Sequence, residues 1–126
     1  MFDLKNKVVL ITGATGGIGG EIAKQMKNAG ATVVVSGRNS EKLNKDFNDY
    51  FIKIVADLSV DDACDKLVND TIEKTGHLDV LINNAGITKD TLLMRMSDEQ
   101  FDDVINTNSS ILEQTQGFPI NDIIGL

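Results

Sequence analysis

Short apolar runs alternate with amphipathic segments along most of the chain. Apolar, largely β-branched runs predict buried strands at 8–11, 32–35, 51–55 and 80–82. Apolar spacing and capping residues predict helices at 18–29, 40–48, 59–75 and 97–106. Alternating strands and helices indicate βαβ units, and right-handed crossovers place the strands of a parallel sheet in the order 3-2-1-4. We therefore predict a single α/β domain.

Polar residues and glycines predict where these elements begin and end. Gly30 is expected to stop the first helix, and 36–39 is expected to form a turn after the second strand. Ser40 is a candidate cap for the second helix, and Ser59 with Asp62 forms a candidate capping box for the third.

Composition narrows the classes of protein that the chain can belong to. The 126 residues carry a net charge of −7, which disfavours non-specific binding to nucleic acid or anionic membranes. No apolar run reaches the length of a membrane span, and no secretory signal pattern opens the chain. Cys64 is the only cysteine and is expected to be a half-buried helix residue. A cytoplasmic protein without a metal site is the expectation.

The glycine-rich stretch Thr12–Gly19 lies between the first strand and the first helix. A helix start with free N–H groups and no nearby Cβ can seat a pyrophosphate. We expect Gly13 to allow the tight turn, Gly17 the close approach of the ligand, and Gly19 close packing of helix on strand. The stretch lacks the Gly-Lys-Ser/Thr ending of a P-loop, which argues against an NTPase. A purely structural glycine turn is the alternative.

The other strand ends carry residues suited to a nucleotide. Arg38 follows the second strand and suits a ribose 2′-phosphate, so NADP(H) is preferred over NAD(H). Asp57 could accept from an adenine amino group while Leu58 supplies its backbone N–H, and 83–86 offers amide donors beside a ribose. A solvated surface arginine and an ordinary loop acid are the alternatives for Arg38 and Asp57.

Together these motifs resemble the short-chain dehydrogenase/reductase family. The stretch T-G-A-T-G-G-I-G at 12–19 resembles its glycine loop, Asp57-Leu58 its adenine-site pair, and 83–86 its N-N-A-G motif. The stretch 84–96 is similar to the 3-oxoacyl-[acyl-carrier-protein] reductases of fatty-acid synthesis. The resemblance implies a Rossmann-type fold that is truncated relative to the full family fold. The implied cofactor-binding residues are Gly13, Thr15, Gly17, Ile18, Gly19, Arg38, Asp57, Leu58, Asn84, Ala85 and Gly86.

The resemblance implies reduction of a 3-oxoacyl thioester ketone by hydride from NADPH. It gives Asn108 a supporting role for a proton-relay water, but the family's Tyr-x-x-x-Lys and its serine are absent. Tyr50 is the only tyrosine, Lys53 follows it three residues later, and we expect a packing role for it. We therefore expect the chain to be inactive alone. The alternative is a truncated nucleotide-binding or self-associating module without catalysis.

The domain is expected to cover 1–108, with 109–126 as an unplaced tail. Gly117 and Pro119 interrupt the long helix that the family has in this region, as a truncated or frameshifted chain would. The resemblance implies a substrate carried on acyl carrier protein. An open edge on the fourth strand, or the tail, favours a homo-oligomer. His77 is expected to be a surface residue away from the ligand.

Overall fold

The fold is that of a computed structural model, which describes residues 4–85. The strands are β1 (Val8–Thr12), β2 (Thr32–Gly37), β3 (Ile52–Val55) and β4 (Val80–Asn83). The helices are α1 (Gly17–Asn28), α2 (Ser40–Asp46) and α3 (Ala63–Thr75). The strands are parallel and lie in the order β3-β2-β1-β4, so the predicted α/β class and strand order are confirmed. The helix predicted at 97–106 and the tail lie outside the described residues.

Helices cover both faces of the sheet, because alternate residues of each strand point to opposite sides. Val9 and Ile11 of β1 pack into one core with Ile22, Ala23 and Met26 of α1. Val8 and Leu10 point to the opposite face, into a second core formed with α3. The strands are therefore buried on both faces, which is why they read as continuous apolar runs in the sequence.

Helix α2 differs from the prediction at both ends. Its cap is Asn39, whose Oδ1 accepts from the Lys42 N–H at 3.2 Å, so the predicted Ser40 cap is wrong by one position. The helix ends at Asp46 rather than at residue 48, since Phe47 leaves it with an extended backbone and a side chain buried in the core. Strand β2 also runs on to Gly37, through the first half of the predicted turn.

The predicted capping box at the start of α3 is wrong. Asp62 lies at the cap position with φ 67° and makes no side-chain cap hydrogen bond. The Ser59 hydroxyl donates instead to Asp57 Oδ1 at 2.6 Å. The end of α3 is as expected, because Gly76 takes a left-handed conformation with φ 94° and its N–H donates to the Ile72 carbonyl oxygen.

Three side chains are more exposed or more buried than the sequence indicated. Ile18 was expected on the apolar face of α1 but is 68% exposed in its first turn. Tyr50 is 76% exposed, so the packing role expected for it is wrong. Cys64 is fully buried against the sheet rather than half-buried. None of the helices within residues 4–85 is long and apolar enough to cross a membrane.

Candidate functional site

The carboxyl ends of all four strands meet along one edge of the sheet, because the strands are parallel. Thr12 pairs with Asn83 across β1 and β4, and Gly37 pairs with Val55 across β2 and β3. A cleft of about 270 Å³ opens there. Its lining is Thr12, Gly13, Thr15, Ser36, Gly37, Arg38, Ala56, Asp57, Leu58, Ser59, Asn84 and Ala85. Residues from all four strand ends therefore converge on one cleft.

The glycine turn is held tightly against β4. Gly13 has φ +61°, and a Cβ at this position would overlap the Asn84 carbonyl group and lie 2.8 Å from Ala85 Cα. The next residue ties the turn to β2, since the Ala14 N–H donates to the Ser36 carbonyl oxygen at 3.0 Å. Both the backbone angle and the close approach require glycine at position 13.

Helix α1 begins at this turn with its first N–H groups uncapped by any side chain. Gly16 is its N-cap residue and makes no side-chain hydrogen bond, and the first turn contains no acidic residue. A Cβ on Gly17 would have no protein atom within 4 Å, whereas one on Gly19 would lie 2.8 Å from both Asn84 Nδ2 and the Gly13 carbonyl oxygen. Gly19 thus packs α1 on the glycine turn, while Gly17 presents open backbone beside a positive helix end.

A hydrogen-bond network built on Thr12 joins the ends of β1 and β4. The buried Thr12 hydroxyl donates to Asn83 Oδ1 at 2.8 Å and accepts from the Asn84 N–H at 3.1 Å. The Asn84 side-chain amide donates to the Gly13 carbonyl oxygen at 3.2 Å, and the Ala85 N–H donates to Asn83 Oδ1 at 3.2 Å. The N-N-A stretch therefore fixes the glycine turn through its side chains. The sequence had singled out the asparagines but not the role of Thr12.

Arg38 and Asp57 face the cleft from neighbouring strand ends, and both are exposed. Asp57 Oδ1 accepts from the Ser59 hydroxyl at 2.6 Å and from the Ser59 N–H at 3.0 Å. These bonds, together with the positive charge of Arg38, lower the pKa of Asp57 below its ordinary value. An ordinary aspartate is already ionised at neutral pH, so Asp57 is an ionised acceptor there. Sequence reasoning assigned Ser59 to a helix cap and missed its bonds to Asp57, although an aspartate side chain commonly accepts from the backbone N–H two residues later.

A second recess adjoins the cleft at the start of α2. It shares Thr15 and Arg38 with the cleft and adds Asn39, Ser40, Glu41 and Lys42. Two of the residues around it, Arg38 and Lys42, are cations, and one, Glu41, is an anion. A ligand extending from the cleft past Arg38 would meet positive charge here.

Some predicted residues lie elsewhere. Gly86 and Asn108 lie outside the described residues. Tyr50 precedes β3, and His77 precedes β4, so both are at the opposite end of the sheet from the cleft. Within residues 4–85, no cluster of histidine, cysteine and acidic residues could hold a metal ion.

This architecture is a Rossmann-type α/β fold: a parallel sheet with a glycine turn and a helix start at the end of its first strand. Residues 7–118 match the family model described as short chain dehydrogenase. The chain belongs to the short-chain dehydrogenase family.

Two relatives make the similarity more specific. The 3-oxoacyl-[acyl-carrier-protein] reductase FabG of Rickettsia bellii is 49% identical over 111 residues, covering 86% of this chain and 44% of that protein. The FabG of Vibrio harveyi is 40% identical over 113 residues, covering 84% of this chain and 45% of that protein. The chain thus spans about half the length of the curated relatives it matches.

Solved structures agree with the fold. A short-chain dehydrogenase from Mycobacterium smegmatis aligns with a TM-score of 0.64 at 33% identity, over 94% of this chain and 56% of that one. A 3-ketoacyl-(acyl-carrier-protein) reductase from Brucella melitensis, solved in complex with NADH, aligns with a TM-score of 0.62 at 30% identity. That alignment covers 89% of this chain and 48% of that one.

Proposed function

We propose that residues 4–85 form the cofactor-binding part of an NADPH-dependent reductase of 3-oxoacyl thioesters. The observation that carries the proposal is the glycine turn before the uncapped start of α1: Gly13 and Thr15 line one cleft with Arg38 and Asp57. The open backbone of Gly17 faces an adjoining recess that shares Thr15 with this cleft. The relatives named as 3-oxoacyl-[acyl-carrier-protein] reductases support the substrate class.

The residues of the cleft fit a nicotinamide dinucleotide in their chemistry. The first N–H groups of α1 suit its pyrophosphate, since the ligand can approach where Gly17 has no Cβ. Thr15, Ile18 and Gly19 are assigned to the same segment, and Asn84, Ala85 and Gly86 to its ribose. When bound, the dinucleotide supplies the hydride; the chain itself binds and orients it.

The preference for NADP(H) is proposed from Arg38. Its guanidinium lies at the end of β2 and lines both the cleft and the recess beside Lys42. A guanidinium binds a phosphate through paired, charge-assisted hydrogen bonds. NADPH has a ribose 2′-phosphate that can accept these bonds, whereas NADH lacks it. Asp57, with the Leu58 backbone, is assigned to the adenine at the neighbouring strand end.

Calorimetric titration of the 126-residue chain with NADPH and NADH tests this assignment. We expect tighter binding of NADPH, and Arg38→Asp should reverse the preference by about ten- to a hundredfold. Lys74→Asp is the matched control, because it makes the same charge change at the far end of α3. Binding of neither dinucleotide would remove the nucleotide role, and equal binding would remove the role of Arg38.

Catalysis by this chain alone is not expected. Its only tyrosine, Tyr50, lies before β3 at the opposite end of the sheet from the cleft, and Lys53 follows it by three residues. Asn108 is assigned only a supporting role. Mixing the chain with NADPH and an acetoacetyl thioester should give no substrate-dependent oxidation above the blank; steady oxidation would contradict the proposal.

Self-association is the second candidate function, and its proposed partner is a second copy of the chain. Acyl carrier protein is the proposed partner of the reductase function, because it would carry the substrate. Among the described residues, β4 pairs with β1 on one side only, so its other edge is able to accept a strand. A cytoplasmic location remains a prediction. Light scattering during size-exclusion chromatography tests association, and a monomer at all concentrations would contradict it.

A further inference from the structure

The loop after β3 holds the Asp57 carboxylate through the residue two positions later. Ser59 donates both its hydroxyl, at 2.6 Å, and its N–H, at 3.0 Å. Both hydrogen bonds fall on the same oxygen, Oδ1. Oδ2 is therefore the oxygen that is left to accept from a ligand.

The rest of the loop fixes these two residues against the cleft. The Leu58 side chain, between them, is buried in the core under α3. The Ala56 N–H donates to the Gly37 carbonyl oxygen at 3.0 Å, and the Val60 N–H donates to the Asp57 carbonyl oxygen at 3.1 Å. Asp57 and Ser59 both line the cleft, on either side of this buried leucine. The carboxylate direction thus depends on Ser59, because the backbone around it is already fixed.

The geometry has a chemical consequence for nucleobase choice. An ionised carboxylate only accepts hydrogen bonds, so it attracts an exocyclic amino group and repels a carbonyl oxygen at the same position. Adenine has an amino group where hypoxanthine has a carbonyl. Asp57 is ionised at neutral pH as an ordinary aspartate is, and the hydrogen bonds from Ser59 and the nearby charge of Arg38 lower its pKa further.

We propose that Ser59 is a positioning residue, whose hydroxyl orients the Asp57 carboxylate so that the cleft selects adenine over the 6-oxo base hypoxanthine. This inference rests on the proposed nucleotide-binding function and adds a residue that determines base selectivity. Ser59 need not contact the base, since it acts through Asp57.

The test is the ratio of the dissociation constants for 5′-IMP and 5′-AMP, measured by titration of the whole chain. Wild type should prefer AMP. Ser59→Ala should reduce the ratio about fivefold, the equivalent of one ordinary hydrogen bond, while Ser59→Thr keeps the hydroxyl and should restore it. The acid limb of AMP binding should also move to higher pH in Ser59→Ala, because the pKa of Asp57 rises when its strongest donor is lost.

Asp57→Asn gives a sharper test with an opposite sign. If Ser59 keeps its bonds to Oδ1, the side-chain amide turns its Nδ2 donor toward the cleft and should reverse the preference to IMP. In the Asp57→Asn background, Ser59→Ala should weaken this reversal, since it removes the hydroxyl donor to Oδ1 and leaves only the backbone N–H of residue 59.

Thr75→Val controls for the loss of a hydroxyl alone. The Thr75 hydroxyl donates to the Thr71 and His77 carbonyl oxygens at the end of α3 that lies away from the cleft. Thr75→Val should therefore lower stability but leave the ratio of the IMP and AMP dissociation constants unchanged. If Ser59→Ala keeps the wild-type ratio of the IMP and AMP dissociation constants, this inference is overturned while the proposed function stands. A wild type that binds neither AMP nor NADPH would overturn the proposed function and this inference with it.

Discussion

The two ends of the sheet join β1 to β4 in different ways. At the carboxyl end, neutral side chains make the ties: the Thr12 hydroxyl and the amides of Asn83 and Asn84. At the amino end, a charged side chain makes them, because Asp79 Oδ2 accepts from the Val8 N–H at 2.6 Å and lies 2.9 Å from His77 Nε2. The carboxyl end therefore has a cleft beside its hydrogen bonds, whereas at the amino end the Asp79 carboxylate contacts groups of the protein itself.

At the amino end of the sheet, the polar side chains bond to other groups of the protein. His77 Nε2 lies 3.0 Å from the Asn6 carbonyl oxygen as well as near Asp79. Both neighbours are hydrogen-bond acceptors, and the His77 ring lies between them. At the carboxyl end, the start of α1 and the Asp57 carboxylate still face solvent. Ionisable residues therefore indicate a ligand site only where the fold does not already satisfy them.

Alanine substitutions at two glycines of the turn should give the largest difference between an effect on stability and an effect on NADPH binding. Gly13→Ala places a Cβ against the Asn84 carbonyl at φ +61° and should destabilise the fold by more than about 4 kcal/mol. Gly17→Ala meets no protein atom within 4 Å and should keep stability within about 1 kcal/mol, yet weaken NADPH binding.

Urea unfolding and NADPH titration of both variants measure this contrast. A stable Gly13→Ala would contradict the close approach of the turn to β4. Normal binding by Gly17→Ala would argue that the glycines serve folding alone, which was the structural alternative for this stretch.

The buried carboxylate at the amino end should matter for stability only. Asp79→Ala removes the acceptor of the Val8 N–H and should cost about 2–3 kcal/mol. His77→Ala should cost no more than about 1 kcal/mol, since that side chain is half-exposed. Urea midpoints give both values, and a change in NADPH affinity of the folded variants would contradict the separation of the two ends.

Thr12→Val tests the corresponding tie at the carboxyl end. It keeps the shape of the side chain but removes one donor and one acceptor, so we expect a loss of about 1–2 kcal/mol. Here stability and NADPH binding should fall together, because the same network fixes the glycine turn. Unchanged binding in a destabilised Thr12→Val would show that the turn holds its shape without Thr12.

An exposed ion pair away from both ends should have the smallest effect. Lys66 and Asp70 are separated by one turn of α3, and Lys66 Nζ lies 2.8 Å from Asp70 Oδ2. The hydrogen bond between them raises the pKa of Lys66. Because the pair is solvated, Lys66→Ala should leave the urea midpoint of unfolding close to that of the wild type in dilute salt. A urea midpoint as low as that of Thr12→Val would contradict this ranking.

The sequence predicted the elements well where their signals were continuous. The runs at Val8 and Val33 are buried on both faces, so no alternation was needed to identify them. Gly13 was correctly expected at the tight turn. Gly19 was expected to pack the helix on a strand, but it packs on the glycine turn and Asn84. The capping predictions at Ser40 and Ser59 were wrong, because several nearby polar side chains compete for the same N–H groups.

The sequence by itself determined the strand order, the position of the glycine turn and the residue types at each strand end. These depend on local patterns and on the handedness of crossovers. Only the tertiary structure decided which polar groups are already satisfied: Asp79 by Val8, Asn84 by Gly13, and one oxygen of Asp57 by Ser59. The physical reason is that a hydrogen bond depends on distances between atoms, and for residues 71 positions apart, such as Val8 and Asp79, only folding sets that distance.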